Sequence, residues 1–262
     1  MAGTHNQCDV SNVRVQTFFY RTDCFKDDVG KFLLADGIDA VVMVGGGLNK
    51  EDDIFLKANE IYAACYGHYL QNRDWSMPIL LDVATALRQL IERLQMQGHR
   101  NIAFLCWSAM GDEGLLHREF NSIAYDLQMD NPVKLLVKVD NFNGYINWGN
   151  IEKLFDINPL PSAVVVFDEF LADAMLVSGG KRNISIPGDL SVSVIHDILP
   201  YNHRVPLTSA FGPKEIGDAI QFACRELIGR CNGKEFSKKE ITIAPNVVVK
   251  ASSGIAKVPS LS

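Results

Sequence analysis

His196 and Asp197 follow directly on the apolar run Leu190–Ile195. An imidazole beside a carboxylate is a pairing that general-base chemistry uses. No Gly-x-Ser-x-Gly turn or reactive-cysteine signature accompanies it, so contact with a polar ligand and plain structural hydrogen bonding compete with catalysis. Asp168 and Glu169 come just after another apolar run, Ala163–Phe167. In open α/β sheets ligands sit beyond the carboxyl ends of strands, and an ionised carboxylate there can accept several hydroxyl hydrogen bonds. Asp168 is equally suited to cap a following helix, and the two roles can coexist. Phe142, Tyr145 and Trp148 follow Lys134–Val139. In a polar loop they could stack on a sugar or purine, and at a strand-to-helix corner they would simply pack.

Two further groupings are weaker. His117, Glu119 and Asp112 are close in sequence, but their spacing fits no known metal-ligand motif. Gly45, Gly46 and Gly47 follow the strand-like Asp39–Val44. They make a permissive turn that could line a ligand cleft, but neither nucleotide-binding glycine pattern is present.

These residues need strands and helices to position them. Short apolar runs, several of them apolar at nearly every position, predict parallel strands covered on both faces. They are Val13–Tyr20, Asp39–Val44, Pro78–Leu81, Ile102–Leu105, Lys134–Val139, Ala163–Phe167, Leu190–Ile195 and Ile241–Val249. Between them lie helical periods. Ala84–Gln97 places Ala86, Leu87, Leu90, Ile91 and Leu94 on one stripe, and Gly98 stops it. His117–Leu127, Glu169–Val177 and Pro213–Ile228 repeat the pattern. Alternation of this kind predicts an α/β fold of doubly wound parallel sheets.

Composition narrows the function classes. The 262 residues carry 25 Lys+Arg against 31 Asp+Glu, a net charge of −6. Phosphate binding needs a surplus of cations on one face, so the chain alone is not expected to hold DNA. No run approaches a membrane span, and the first residues lack the pattern of a secretory signal. Cys8, Cys24, Cys65, Cys106, Cys224 and Cys231 show neither C-x-x-C nor zinc spacing, which reads as reduced thiols in a cytoplasmic protein. Nothing in the sequence calls for a cofactor.

An ordered set of motifs then resembles one family. Gly98-His99-Arg100-Asn101-Ile102-Ala103-Phe104-Leu105 resembles the "GHRRIAF" strand entry of the LacI/GalR repressors. Pro161–Glu169 resembles their "P-T-A-[IV]-x-x-x-N-D", and Ile186–Val192 their "[VI]-P-x-D-[LI]-S-V". Asp197 and Pro206-Leu207-Thr208 stand where the family has "D-D" and "P-P-L-T-T", and Asn246–Ser252 is similar to its closing "LVVRES". The order holds from about Leu33 to Gly254.

The resemblance implies two lobes of periplasmic-binding-protein type that close on a small molecule, a sugar or related polyol. It implies no enzyme activity, a homodimer, and DNA contact only through a helix-turn-helix module that the sequence lacks. The lobes would be 1–97 plus 208–235 and 98–207 plus 236–262, with the amino-terminal one a βα unit short. Pro213–Ile228 resembles a region near the family's dimer surface. The implied ligand contacts are Asp82, at the end of Pro78–Leu81, with Phe142, Asp168 and His196, facing one cleft. Asp168 stands for the family's Asn and His196 for the first Asp of its pair. The family's Arg position holds Leu116, with Arg118 displaced by two. The other readings are a free-standing solute-binding protein and a partial regulator with an impaired cleft.

Overall fold

The computed structural model describes residues 17, 25, 29–44, 50–66, 75–108, 115–129, 135–142, 145–198 and 205–256. The chain divides into two compact units, Met1–Asp82 with Lys214–Ile243, and Val83–Pro213 with Ala244–Ser262. Each is α/β with a parallel sheet, as expected.

In the first unit the strands are β1 (Ala40–Val44), β2 (Tyr62–Tyr66) and β3 (Ser76–Leu81), joined by a later strand, Ile241–Ile243, in a four-stranded parallel sheet. Helices α1 (Lys31–Ala35) and α2 (Lys50–Ala58) supply Leu33 and Leu56 to a core with Phe25, Val29, Met43, Ile61, Ala63 and Cys65. Each such aliphatic side chain contributes about 1.5–3 kcal/mol on burial. The expected strand Val13–Tyr20 lies, apart from Thr17, outside the described residues, as do Gly45–Gly47 and Asp112.

The second unit opens with helix α3 (Val83–Met96), which buries the expected stripe Ala86, Leu87, Leu90, Ile91 and Leu94. Its strands and helices alternate: β4 (Ile102–Trp107), α4 (Leu115–Asp126), β5 (Leu136–Val139), the hairpin strands β6 (Asn141–Phe142) and β7 (Tyr145–Ile146), α5 (Trp148–Phe155), β8 (Ala163–Val166), α6 (Glu169–Lys181), β9 (Ser191–His196) and β10 (Thr208–Phe211). The five-stranded sheet runs β10-β9-β8-β4-β5. In chain order that is 2-1-3-4-5, so the winding reverses between β4 and β8. Helix α7 (Pro213–Cys231) then returns to the first unit, burying Ile216, Ala219, Ala223 and Leu227, and β11 (Ile241–Ile243) pairs with β3.

The expected lobe boundaries are corrected at three places. Helix α3 packs on β8 and β9, so 83–97 belongs to the second unit. Strand β10 pairs with β9, which moves 208–211 there too. Residues 236–243 go the other way: Phe236 meets Tyr62 edge-on at 6.3 Å and β11 joins β3. Arg230 sits over both Tyr62 and Phe236, at 5.0 and 5.6 Å.

Candidate functional site

The β4/β8 reversal point is where a crevice must open, because the helices following these two strands leave to opposite faces of the sheet. Registers across this region place four residues level. Leu105 pairs with Val166, and Val166 with Val194. The ladder continues without a break, the His196 N–H donating to the Phe167 carbonyl at 3.1 Å. Two residues further on, Trp107, Asp168 and His196 are neighbours at the carboxyl edge, and Phe211 pairs with His196. Paired residues of a parallel sheet share a face, so the row reads Trp107, Asp168, His196, Phe211.

Asp168 is the residue that joins the row to the helix. Its backbone is extended and its Oδ1 accepts from the Leu171 N–H at 2.9 Å, capping α6. Its Oδ2 accepts from the Trp107 indole Nε1–H. Burial, which leaves the residue only 9% exposed, raises its carboxyl above the usual range. The Leu171 and Phe170 amides and the indole hold it down against that rise. Helix α6 itself ends at Asn183, whose φ of 59° lets the Ile184 N–H reach back to the Gly179 carbonyl at 3.0 Å.

His196 lies between two rings, 4.7 Å from Phe167 and 6.1 Å edge-on from Phe211. The residue as a whole is only half-buried, yet its Nε2 is enclosed and has no hydrogen-bond partner among the described residues. Burial pushes the imidazole down to about 4, so it is neutral at physiological pH. The adjoining Asp197 is held differently: its carboxylate takes the Lys250 Nζ–H at 2.8 Å, and its N–H bonds the Phe211 carbonyl.

The other expected site residues lie on other elements. Asp82 follows directly on β3 in the first unit, its N–H on the Ile243 carbonyl at 3.0 Å and the residue half-buried. Phe142 lies in the β6–β7 hairpin, its backbone paired with Tyr145. Arg118 is on the exposed side of α4, whose buried side carries Leu116, His117, Phe120, Ile123 and Ala124. Trp148 is not in a loop. It opens α5 behind the Asn147 cap, with Lys181 over its ring at 5.7 Å. His117 is buried with its Nε2 3.4 Å from the Cys106 sulfur, whose thiol burial pushes up to about 12. That pair is a protonated thiol against an imidazole in the core. No disulfide joins the four described cysteines. Among the described residues no group of His, Cys, Asp and Glu is arranged to hold a metal ion, and no helix is long and apolar enough to cross a membrane.

Sequence reasoning missed Trp107. The residue ends an apolar strand and reads there as one more core position. Its signal is positional: an indole at the last residue of the strand that starts the winding, one register step from Asp168.

A family model described as the periplasmic binding protein-like domain matches residues 91–253. No curated protein matches the chain. Solved structures do. A regulatory protein of the LacI family from Chloroflexus aggregans is 20% identical, with 97% of this chain and 90% of that chain covered and a TM-score of 0.75. The transcription regulator CcpA of Lactococcus lactis is 15% identical, covering 96% and 92%, at 0.73. A LacI family transcriptional regulator from Enterococcus faecium, with bound ribose, is 17% identical, covering 86% and 83%, at 0.70. At these identities the likeness shows the fold.

Proposed function

The chain belongs to the periplasmic binding protein-like domain family, and from that premise we propose that it is the effector-sensing portion of a LacI-type transcription regulator. The observation that carries the reading is the carboxyl edge of the second sheet. A winding reversal, a capped acid and a neutral imidazole with a bare nitrogen stand together there. This is equipment for binding, and we read the role as ligand capture and release.

The ligand is a small sugar or polyol, by analogy with the ribose-bound neighbour. Asp82 stands at the corresponding kind of position in the first unit, the carboxyl end of a parallel strand. Phe142 and Arg118 remain contacts we propose for that ligand. Binding selects one of two conformations, and that population shift is what attached DNA-binding segments would read. The protein works in the cytoplasm as a homodimer. On α6 the apolar Phe170 and Val177 are exposed, seven residues apart on one face, whereas no large apolar side chain of α7 is exposed. The exposed pair supports α6 as the pairing surface we propose, in place of the Pro213–Ile228 region that the resemblance implies. Calorimetric titration with D-ribose and with cellobiose tests the reading. Saturable binding of either supports it, and heat of dilution alone with both counts against it. Sedimentation equilibrium at tens of micromolar tests the dimer, and a monomer mass would refute that part.

A further inference from the structure

The row at the carboxyl edge contains one carboxylate, and that carboxylate is already engaged. Asp168 Oδ1 caps α6 and its Oδ2 takes the Trp107 indole hydrogen. Phe211, at the far end of the row, is fully buried. Trp107 is half-buried, so the residue is not closed off from solvent. The indole is tethered at its N–H and backed by a strand that is buried from Ile102 to Cys106. A tethered ring loses little freedom when a second flat surface is laid on it, which is how an aromatic wall gains affinity.

We propose that Trp107 is the ligand-contacting group of this edge and that Asp168 is its positioning residue, so that a sugar is recognised here by its apolar C–H face against the indole. This rests on the sugar-sensing reading above. The carboxylate acts through the indole. Its charge-assisted hydrogen bond fixes the ring plane at the same moment as it fixes the start of α6, so the wall and the helix move as one body. Ligand arrival at the indole is then felt at the helix start, and α6 is the element that presents Phe170 and Val177 to solvent. The carboxylate-to-hydroxyl contact that the sequence suggests for Asp168 gives way to stacking.

Four variants test this, after thermal melts show that each folds. In wild type, D-ribose and cellobiose are titrated by calorimetry. If neither binds, the sugar-sensing reading fails and this inference with it. If one binds, Trp107→Phe, which keeps a ring, should bind within about threefold, and Trp107→Ala should lose about tenfold or more. Asp168→Asn still caps the helix but turns amide hydrogens toward the indole. It should weaken binding by a few fold and shift the emission of Trp107, read with Trp75→Phe and Trp148→Phe in place, while its melting temperature falls by no more than a few degrees. In that single-tryptophan protein the emission should also move on saturation with the bound sugar. Trp107→Ala binding as wild type does, or emission that ignores the sugar, overturns the inference and leaves the sensing function standing. Should Trp107→Ala fail to fold, the emission change alone decides.

Discussion

The second unit has two histidines at opposite edges of the same sheet, and they are treated in opposite ways. His99 stands at the amino edge, just before β4, and is 2% exposed. Its Nδ1 is 3.0 Å from the Ser162 hydroxyl and its Nε2 3.1 Å from the Gly254 carbonyl. Around it the closing segment 246–256 is bonded at almost every step. The Ser252 hydroxyl donates to the Val192 carbonyl and accepts from the Thr208 N–H, the Gly254 N–H reaches the Ser191 hydroxyl, and the Ala256 N–H reaches the Gln97 carbonyl. His196 stands at the carboxyl edge with its Nε2 enclosed and without a partner among the described residues. At the amino edge both ring nitrogens of His99 are matched, although the nearby Gln97 Oε1 is enclosed without a partner among the described residues. At the carboxyl edge the imidazole itself is the group left short of a partner among the described residues, at a cost in stability.

The largest expected consequence is a pH dependence that follows the bare imidazole. His196 falls from the ordinary 6.5 to about 4 in the folded chain. The unfolded state therefore binds the proton first, and stability present above pH 6.5 is lost as the pH falls toward 4, by up to about 3 kcal/mol. Urea unfolding at steps across that window should show the loss, and His196→Phe should remove most of it. Burial lowers His99 as well, but the Gly254 carbonyl works against that shift, so a His99 variant should flatten the profile less. Equal flattening by both variants would erase the contrast between the edges.

Next in size is the amino edge itself. His99→Ala strands the Ser162 hydroxyl and the Gly254 carbonyl and opens a cavity, so it should cost about 3 kcal/mol in urea denaturation. His196→Phe at neutral pH should cost nothing or add about 1 kcal/mol, since it deletes an unpaired nitrogen among rings. A His196→Phe protein as damaged as His99→Ala would mean that both edges are scaffold.

Asp168 comes between these extremes. Asp168→Ala should lose about 2 kcal/mol, half from the helix cap and half from the indole bond, and Asp168→Asn about half as much. Burial raises the Asp168 carboxyl, so the stability it contributes is fullest in acid and falls as the pH rises through its titration. The Asp168→Asn deficit should therefore shrink from acid to neutral pH, opposite in direction to the His196 effect. The smallest change belongs to Arg118. On the exposed side of α4, Arg118→Ala should alter stability by no more than about 0.5 kcal/mol, whatever it does to binding.

Much of the second unit is readable because its strands are β-branched or bulky and apolar throughout, as in Ala163–Val166 and Ile102–Trp107. Strand β2 escapes such reading. Between Tyr62 and Tyr66 its centre is Ala63-Ala64-Cys65, small residues with little strand preference, and its position beside β1 and β3 overrides that. Charged α2, with Leu56 turned to the core and Phe55 partly covered, escapes for a related reason. The exchange of β10 and β11 between units lies beyond any periodicity, because a pattern shows that a strand is covered and not which sheet covers it. At the site, Asp168 and His196 announce themselves as polar residues ending apolar runs. Trp107 does not, because an indole continues such a run in hydropathy, and only the register across β4, β8 and β9 brings it beside the acid.

The most direct test of the account follows both edges in one titration. Imidazole and indole proton resonances of the full chain would be recorded by nuclear magnetic resonance as D-ribose or cellobiose is added to saturation. The Trp107 indole N–H and the His196 ring should shift together, while the His99 ring stays where it was. A shift confined to His99, or no shift at Trp107 and His196 when the sugar is bound, would contradict the assignment of the carboxyl edge as the sensing edge.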